Sequence, residues 1–181
     1  KRYLAAVGVF GVGDFSHSLL ILAATQILTP SSGVVQAAQT AGLLYVWRNV
    51  VQVAASYPVG VLADRFGPLP VLTVGYVLGA LTAVLTAAAF VLEGGVLVLL
   101  VVLFAVAGLY MAVQEALEST AAAGMVGADT LCLGFGALGT VNGATKFVSS
   151  TLVGLLWTTV SPVAAFGLAA GLMAAGALAL K

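Results

Sequence analysis

The sequence predicts an all-α membrane protein, and two observations support this fold class. Hydrophobic residues make up 62% of the 181 positions and charged residues only 7%, whereas a soluble domain carries about 25% charged residues. Several continuously apolar segments also reach the roughly 20 residues that a helix needs to cross a bilayer. Because these segments do not alternate between apolar and polar residues, they indicate helices rather than barrel strands.

Turn-forming and polar clusters divide the chain into six transmembrane helices within a single domain, residues 1–181. The predicted helices cover residues 3–25, 40–63, 69–91, 96–119, 133–157 and 161–181. The first is predicted to end before the sequence TPSSG, the third at EGG, and the sixth to follow SP. The fifth contains a GxxxG step, Gly139 and Gly143, which suits close packing of helices in lipid.

Basic residues predict the orientation of the chain. With six helices both termini lie on one side, and Lys1, Arg2, Arg65 and Lys181 all fall at that face. Loops rich in lysine and arginine stay in the cytoplasm. We therefore expect a multi-pass protein of a bacterial-type cytoplasmic membrane with both termini in the cytoplasm.

Composition also excludes several classes of function. The net charge is zero and there is no basic cluster, so nucleic acid is not an expected partner. The single cysteine, Cys132, allows neither an internal disulfide nor a multi-cysteine metal site. No nucleophile–base pair, phosphate loop or nucleotide motif occurs, so we expect no enzyme activity and no cofactor.

Polar residues are distributed unevenly over the six helices. Ionisable groups in the hydrocarbon core cost roughly 2.5–3.5 kcal/mol each and normally face the bundle interior or a wet cavity. The third and sixth helices carry no charge within their spans, which predicts that they face lipid. The other four carry the polar residues and are predicted to surround a polar space: Asp14, His17, Arg48, Asn49, Gln52, Gln114, Glu115, Glu118, Asn142 and Lys146.

Helical spacing and depth separate these residues into two levels. Arg48 and Gln52 share one face of the second helix, and Asn142 and Lys146 share one face of the fifth. At about 1.5 Å per residue, Asp14 and Lys146 lie near mid-membrane, with Arg48 somewhat nearer the outer side. Glu115 and Glu118 come close to the cytoplasmic end of the fourth helix, and we expect them within reach of Arg65.

The segment GVLADRFGPLPVL, residues 60–72, carries a family resemblance. It resembles the major facilitator superfamily signature G-x-L-A-D-R-x-G-R-K-x-x-L, which it matches at Gly60, Leu62, Ala63, Asp64, Arg65, Gly67 and Leu72. Pro68 and Leu69 replace the basic pair. The segments FGVGDFSHSLLILAATQ and GLYMAVQEALEST…GFGALGTVNG are similar to the first, fourth and fifth helices of the second half of bacterial drug-efflux-like members.

The resemblance implies one six-helix half of a transporter, built from two inverted three-helix repeats. It favours the C-terminal half over the N-terminal half. Two such halves rock around a central site in alternating access. The partners it implies are the bilayer, a second six-helix half (the missing half or a second copy as a homodimer), a small-molecule substrate and protons. It also implies a cytoplasmic gate in which Asp64 meets a helix N-terminus of the other half and Arg65 pairs with Glu115 or Glu118, with Gly60 and Gly67 shaping the loop.

The charged residues near mid-membrane leave two interpretations open. Asp14 and His17 are three residues apart, which places them on one helix face as a proton-coupling or substrate-contacting pair. Alternatively, Asp14 only neutralises Lys146 or Arg48. These two cations in turn either recognise an anionic group or serve as structural partners. As metal ligands, Asp14 and His17 are too few.

These observations predict secondary active transport by alternating access, in the form of proton-coupled efflux of a small organic molecule. The proton-coupling or substrate cavity is predicted to comprise Asp14, His17, Arg48, Gln52, Asn142 and Lys146. Two alternatives remain. One is a membrane assembly module that keeps the fold without transport, and the other is a channel-like bundle, which requires a polar stripe through the full membrane depth.

Overall fold

The computed structural model describes residues 2–92 and 95–180, and throughout these residues the regular structure is helical. Six α-helices follow one another: α1 (Arg2–Gly13), α2 (His17–Phe66), α3 (Pro68–Ala89), α4 (Val96–Ala123), α5 (Leu131–Thr159) and α6 (Pro162–Ala179). A short 3-10 helix, Ala128–Thr130, precedes α5. The predicted all-α class is confirmed.

Within residues 2–92 and 95–180, four segments are long and apolar enough to cross a membrane: Tyr3–Phe66, Pro68–Ala89, Val96–Ala123 and Pro162–Ala179. The first contains both α1 and α2. Helix α5 is not among the four, because Gly, Thr, Ser, Asn142 and Lys146 lower its hydropathy. The predicted number of six transmembrane helices is therefore not confirmed. Lys1 and Lys181 lie outside the described residues, as do Glu93 and Gly94, and the orientation of the chain stays a prediction.

The largest departure from the sequence prediction is in the first 66 residues. The predicted helix 3–25 is broken, since α1 ends at Gly13 and α2 begins at His17. The segment between residues 26 and 39, predicted as a connection, is helical except at Gly33, whose φ of 76° and ψ of 161° kink α2. The hydroxyl groups of Ser31 and Ser32 both donate to the carbonyl oxygen of Leu28, and the helix continues through them.

The break before α2 has a local cause in the sequence. Ser16 is extended (φ −62°, ψ 140°), and its side chain accepts a hydrogen bond from the backbone N–H of Ser18, as an N-cap does. The backbone N–H of Ser16 donates to Ser150 Oγ on α5 at 3.0 Å. Asp14 and Phe15 within the break are both buried. Non-helical backbone is tolerated at membrane depth only where protein or a wet cavity surrounds it.

Helix pairs approach closely at glycines. A Cβ atom at Gly176 would lie 2.5 Å from Phe10 Cα, where α6 crosses α1, and one at Gly108 would lie 2.5 Å from the carbonyl oxygen of Arg48, where α4 crosses α2. By contrast, a Cβ at Gly139 or Gly143 would meet nothing within 4 Å. The predicted GxxxG step is therefore not used for packing among the described residues.

The core lies where α1, α3, α4 and α6 meet. Phe10 and Tyr76 stack with ring centroids 3.6 Å apart, and Phe104 and Phe166 are likewise fully buried. Helix α3 packs against both α4 and α6, and α1 packs against α5 and α6. Helix α5 buries only Leu138, Ser149 and Val153 among its described side chains, so it lies at the edge of the bundle.

We predict that Gly176→Ala destabilises the bundle by about 1–3 kcal/mol, because the added methyl group overpacks the crossing of α6 with Phe10. The measurement is the free energy of unfolding in mixed detergent micelles. Gly171→Ala on the same helix is the control, since its Cβ meets nothing within 4 Å. Equal stabilities for the two variants would contradict the close crossing.

Candidate functional site

An ion pair between a buried carboxylate and a partly exposed lysine lies at the centre of the polar residues. Lys146 Nζ on α5 is 3.0 Å from Asp14 Oδ2 in the break between α1 and α2. The Asp14 side chain is only 5% exposed, whereas that of Lys146 is 37% exposed. The sequence left the partner of Asp14 open between Lys146 and Arg48, and the structure pairs it with Lys146.

Asp14 occupies a position other than the one expected. It does not share a continuous helix face with His17, because Ser16 caps a new helix between them. The two residues nevertheless line the same small cavity, together with Tyr110 of α4 and Thr82 of α3. Asp14 and His17 therefore face the same cavity because of the break, and not because of the three-residue helical spacing from which the sequence predicted the pair.

Arg48 forms a separate group beside this cavity. It is 2% exposed, its Nη1 donates to Asn49 Oδ1 at 2.9 Å, and its Nη2 contacts His17 Nε2 at 3.3 Å. Its guanidinium also lies over the Tyr45 ring, 5.5 Å from the centroid. Since an arginine can only donate, His17 Nε2 is the acceptor, and the imidazole in this contact is neutral with its proton on Nδ1.

Glu118 does not occupy the place that the sequence predicted. It is 5% exposed and lies in the buried polar network rather than beside Arg65. Its carboxylate accepts hydrogen bonds from Tyr76 (2.7 Å), Gln114 (3.1 Å) and Asn142 (2.6 Å). Counting residues along α4 gave a shallow depth for Glu118, but the packing of α3 and α5 around it encloses the side chain.

Gln114 connects Glu118 to Asp14. Its Nε2 donates to Asp14 Oδ2 at 3.3 Å as well as to Glu118. Gln114 Oε1 and Tyr110 Oη are buried without a hydrogen-bond partner among the described residues. Asp14, Gln114, Glu118, Asn142 and Lys146 therefore form one network, which we call the acidic cluster.

The sequence missed Tyr76, Tyr110 and Gln114 as candidate site residues. Tyr76 comes from α3, a helix without charged residues that was expected to face lipid. A tyrosine hydroxyl in a long apolar helix is the one signal that could have marked it, since buried hydroxyls normally have partners. Gln114 was noticed as a polar residue, but its bridging role depends on how α4 packs.

A cavity of ≈560 Å³ opens beside the acidic cluster, between α4 and α5. Glu115, Glu118, Asn142 and Lys146 provide its polar lining, and Met111, Phe135 and Leu138 are among its apolar residues. Gln52 lies at its approach, where Gln52 Nε2 donates to Glu115 Oε2 at 2.6 Å. The space combines apolar walls with a few polar groups, as small-molecule sites do.

The predicted gate loop lies apart from the acidic cluster. Asp64 and Arg65 are both exposed, and the Arg65 guanidinium lies 5.3 Å from the centroid of the Phe66 ring. The predicted pairing of Arg65 with Glu115 or Glu118 is wrong within residues 2–92 and 95–180, because those carboxylates bond to Gln52 and to the acidic cluster. Gly67 has a φ of 89° between α2 and α3, whereas a Cβ at Gly60 would meet nothing within 4 Å.

The chain is similar to one protein family along almost its whole length. A family model described as Major Facilitator Superfamily matches residues 4–181. An uncharacterized MFS-type transporter of Methanocaldococcus jannaschii is 26% identical over 170 residues, which cover 92% of this chain and 40% of that relative. The chain thus spans less than half of the relative's length. No solved structure matches the chain significantly.

We predict that Lys146→Met destabilises the protein, because it leaves the buried Asp14 carboxylate without its cation. Removing one partner of a fully buried pair costs about 3–5 kcal/mol, and the expected loss here is smaller, since Lys146 is 37% exposed. The measurement is a double-mutant cycle of unfolding free energies with Asp14→Asn. The double variant should recover part of the stability lost in Lys146→Met, and strict additivity would contradict direct pairing.

Proposed function

Because the chain belongs to the Major Facilitator Superfamily, we propose that it acts in secondary active transport of a small molecule by alternating access. The proposed direction is efflux and the proposed coupling ion is the proton. The observation that carries the proposal is the pair formed by the buried Asp14 and by Lys146, which lines the ≈560 Å³ cavity. A buried ionisable pair beside such a space suits both substrate contact and proton exchange.

Helix contacts support two inverted three-helix repeats. The first proposed transmembrane segment comprises α1 and the start of α2, and the second is the rest of α2. In the proposed repeat, the first, second and third segments correspond to the fourth, fifth and sixth, which are α4, α5 and α6. Under this correspondence, the packed pair α1–α6 is the counterpart of the pair α4–α3, and the pair α1–α5 is the counterpart of the pair α4–α2. The pair α3–α6 is its own counterpart. All of these pairs are packed in the structure, as such a repeat requires.

The proposed partner is a second six-helix half, supplied either by the remainder of a longer chain or by a second copy. Two apolar faces support it. Val53 and Tyr57 on α2 are 76% and 81% exposed, and Phe147 on α5 is 74% exposed. The open glycines of α5, Gly139 and Gly143, lie on the same helix as Phe147. These faces and the length of the relative favour a twelve-helix unit.

The polar residues favour this proposal over a channel. A channel requires a polar stripe through the whole membrane depth, whereas here the acidic cluster is closed by Tyr76, Tyr110 and the stacked Phe10. The assembly-module alternative predicts a folded protein without flux. Asp64, Arg65 and the glycines of the gate loop keep their proposed role in closing the cytoplasmic side, with contacts to the second half in place of Glu115 or Glu118.

We predict saturable, proton-driven uptake of organic dyes into proteoliposomes that hold the proposed twelve-helix unit, either as the longer chain or as a dimer of this one. Ethidium and carboxyfluorescein serve as the cationic and anionic probes, under an imposed pH gradient. Asp14→Asn should lower the initial rate at least about tenfold, since it removes the buried carboxylate on which coupling depends. Asp129→Asn, an exposed carboxylate in the 3-10 helix, is the control and should leave the rate unchanged.

Three results would contradict the transport proposal. Flux that does not saturate and ignores the pH gradient indicates a channel. Folded protein that moves neither dye indicates an assembly module. Gradient-driven transport that is equal in Asp14→Asn and the wild type would remove Asp14 from the coupling mechanism.

A further inference from the structure

Glu118 is held by neutral donors. Tyr76, Gln114 and Asn142 supply three hydrogen bonds to its carboxylate, and the Tyr3 hydroxyl donates to its backbone oxygen at 2.7 Å. Among the described residues no lysine, arginine or histidine forms an ion pair with it. Its side chain is nevertheless buried, so a negative charge there has no cation to offset the loss of hydration.

The acidic cluster contains two buried carboxylates and one cation. Asp14 and Glu118 are bridged by Gln114 Nε2, at 3.3 Å and 3.1 Å, and Lys146 contacts Asp14 alone. Two carboxylates that share a low-dielectric site cannot both ionise at low cost, and one retains a proton. Because Lys146 stabilises the charged form of Asp14, the proton belongs on Glu118.

None of the described groups that bond to Glu118 carries a positive charge. Tyr3 from α1 and Tyr76 from α3 are neutral donors in their contacts, and Glu115 on the same helix adds only a further carboxylate, which bonds to Gln52. The structure also provides an acceptor for a carboxylic O–H. The Tyr76 hydroxyl lies 2.7 Å from Glu118 Oε1, and a phenolic hydroxyl can accept a hydrogen bond as well as donate one.

We propose that Glu118 holds the exchangeable proton of the acidic cluster while Lys146 is paired with Asp14, and that Lys146 moves between the two carboxylates. When the ammonium turns to Glu118, the O–H bond of Glu118 breaks and its proton passes to water in the cavity between α4 and α5. Asp14 then takes up a proton from the opposite side of the membrane. The cluster again has one ionised carboxylate and one ammonium, so its net charge stays at zero. This inference deepens the proposed function and rests on it for the transport consequence.

The geometry of α5 suits this movement. Asn142, which donates to Glu118, and Lys146 are four residues apart and share one helix face. The Lys146 side chain is the most exposed of the cluster's charged groups and lines the same cavity as Glu118. His17 is left out of the proton path, because Arg48 holds its Nε2 as an acceptor.

The test is infrared spectroscopy of the full chain in lipid at neutral pH, without substrate or gradient. We expect a carbonyl stretching band of a buried protonated carboxylic acid. The band should shift when glutamate side chains carry a ¹³C carboxyl group and stay in place when aspartate does. It should disappear in Glu118→Gln and persist in Glu115→Gln, the matched control one turn away on the exposed side of α4.

Three outcomes would overturn the assignment: a band that shifts with labelled aspartate, a band that survives Glu118→Gln, or the absence of any protonated carboxyl in the wild type. If Glu118→Gln does not fold, the two isotope labels in the wild-type chain still decide between the residue types. A glutamate band that persists in both Glu93→Gln and Glu115→Gln then belongs to Glu118, because the chain has three glutamates. Because no transport is measured, failure of this test is distinct from failure of the dye-uptake experiment.

Discussion

The buried contact between Asp14 and Lys146 is the interaction around which the bundle is organised. It joins the break between α1 and α2 to α5, a helix that buries few other side chains. Through Gln114 the same carboxylate reaches α4, and through Glu118 the network extends to α3. Because charged groups at membrane depth are costly unless they are paired or face a wet cavity, these contacts and the cavity together keep Asp14, Glu118 and Lys146 supplied with partners.

This requirement explains the irregular start of the chain. A continuous helix through Asp14 would direct its carboxylate by helical spacing alone, whereas the break, capped by Ser16, frees the backbone and places Asp14 opposite Lys146. Protein encloses the break, and Ser150 of α5 satisfies the Ser16 N–H group. Close crossings at Gly108 and Gly176 hold α2 and α6 near the neighbouring helices. Glu118 and Lys146 line the cavity between α4 and α5, whereas Asp14 lines the small cavity that it shares with His17.

Much of the architecture could be predicted from hydropathy, because lipid imposes long apolar segments with sharp ends. The predicted helices 69–91, 96–119, 133–157 and 161–181 agree with α3 to α6 to within a few residues, with residue 181 outside the described part of the chain. The connection predicted over residues 26–39 is reduced to a kink at Gly33, because the residues on either side of this glycine are helical. Glu118 was misplaced because depth along one helix does not say which neighbours enclose a side chain. Its donors come from α3, α4 and α5, and their convergence is a property of packing rather than of spacing.

The account depends most on the direct contact between the Asp14 carboxylate and the Lys146 ammonium in a lipid environment. Solid-state NMR of the full chain in bilayers measures it through the dipolar coupling between ¹⁵Nζ of lysine and ¹³Cγ of aspartate, with Asp14→Asn to assign the signal. The account predicts a strong coupling in the wild type, consistent with the 3.0 Å N–O contact, and its loss in Asp14→Asn. A wild-type protein without this coupling, or one in which lysine couples only to glutamate carboxyl carbons, would contradict it.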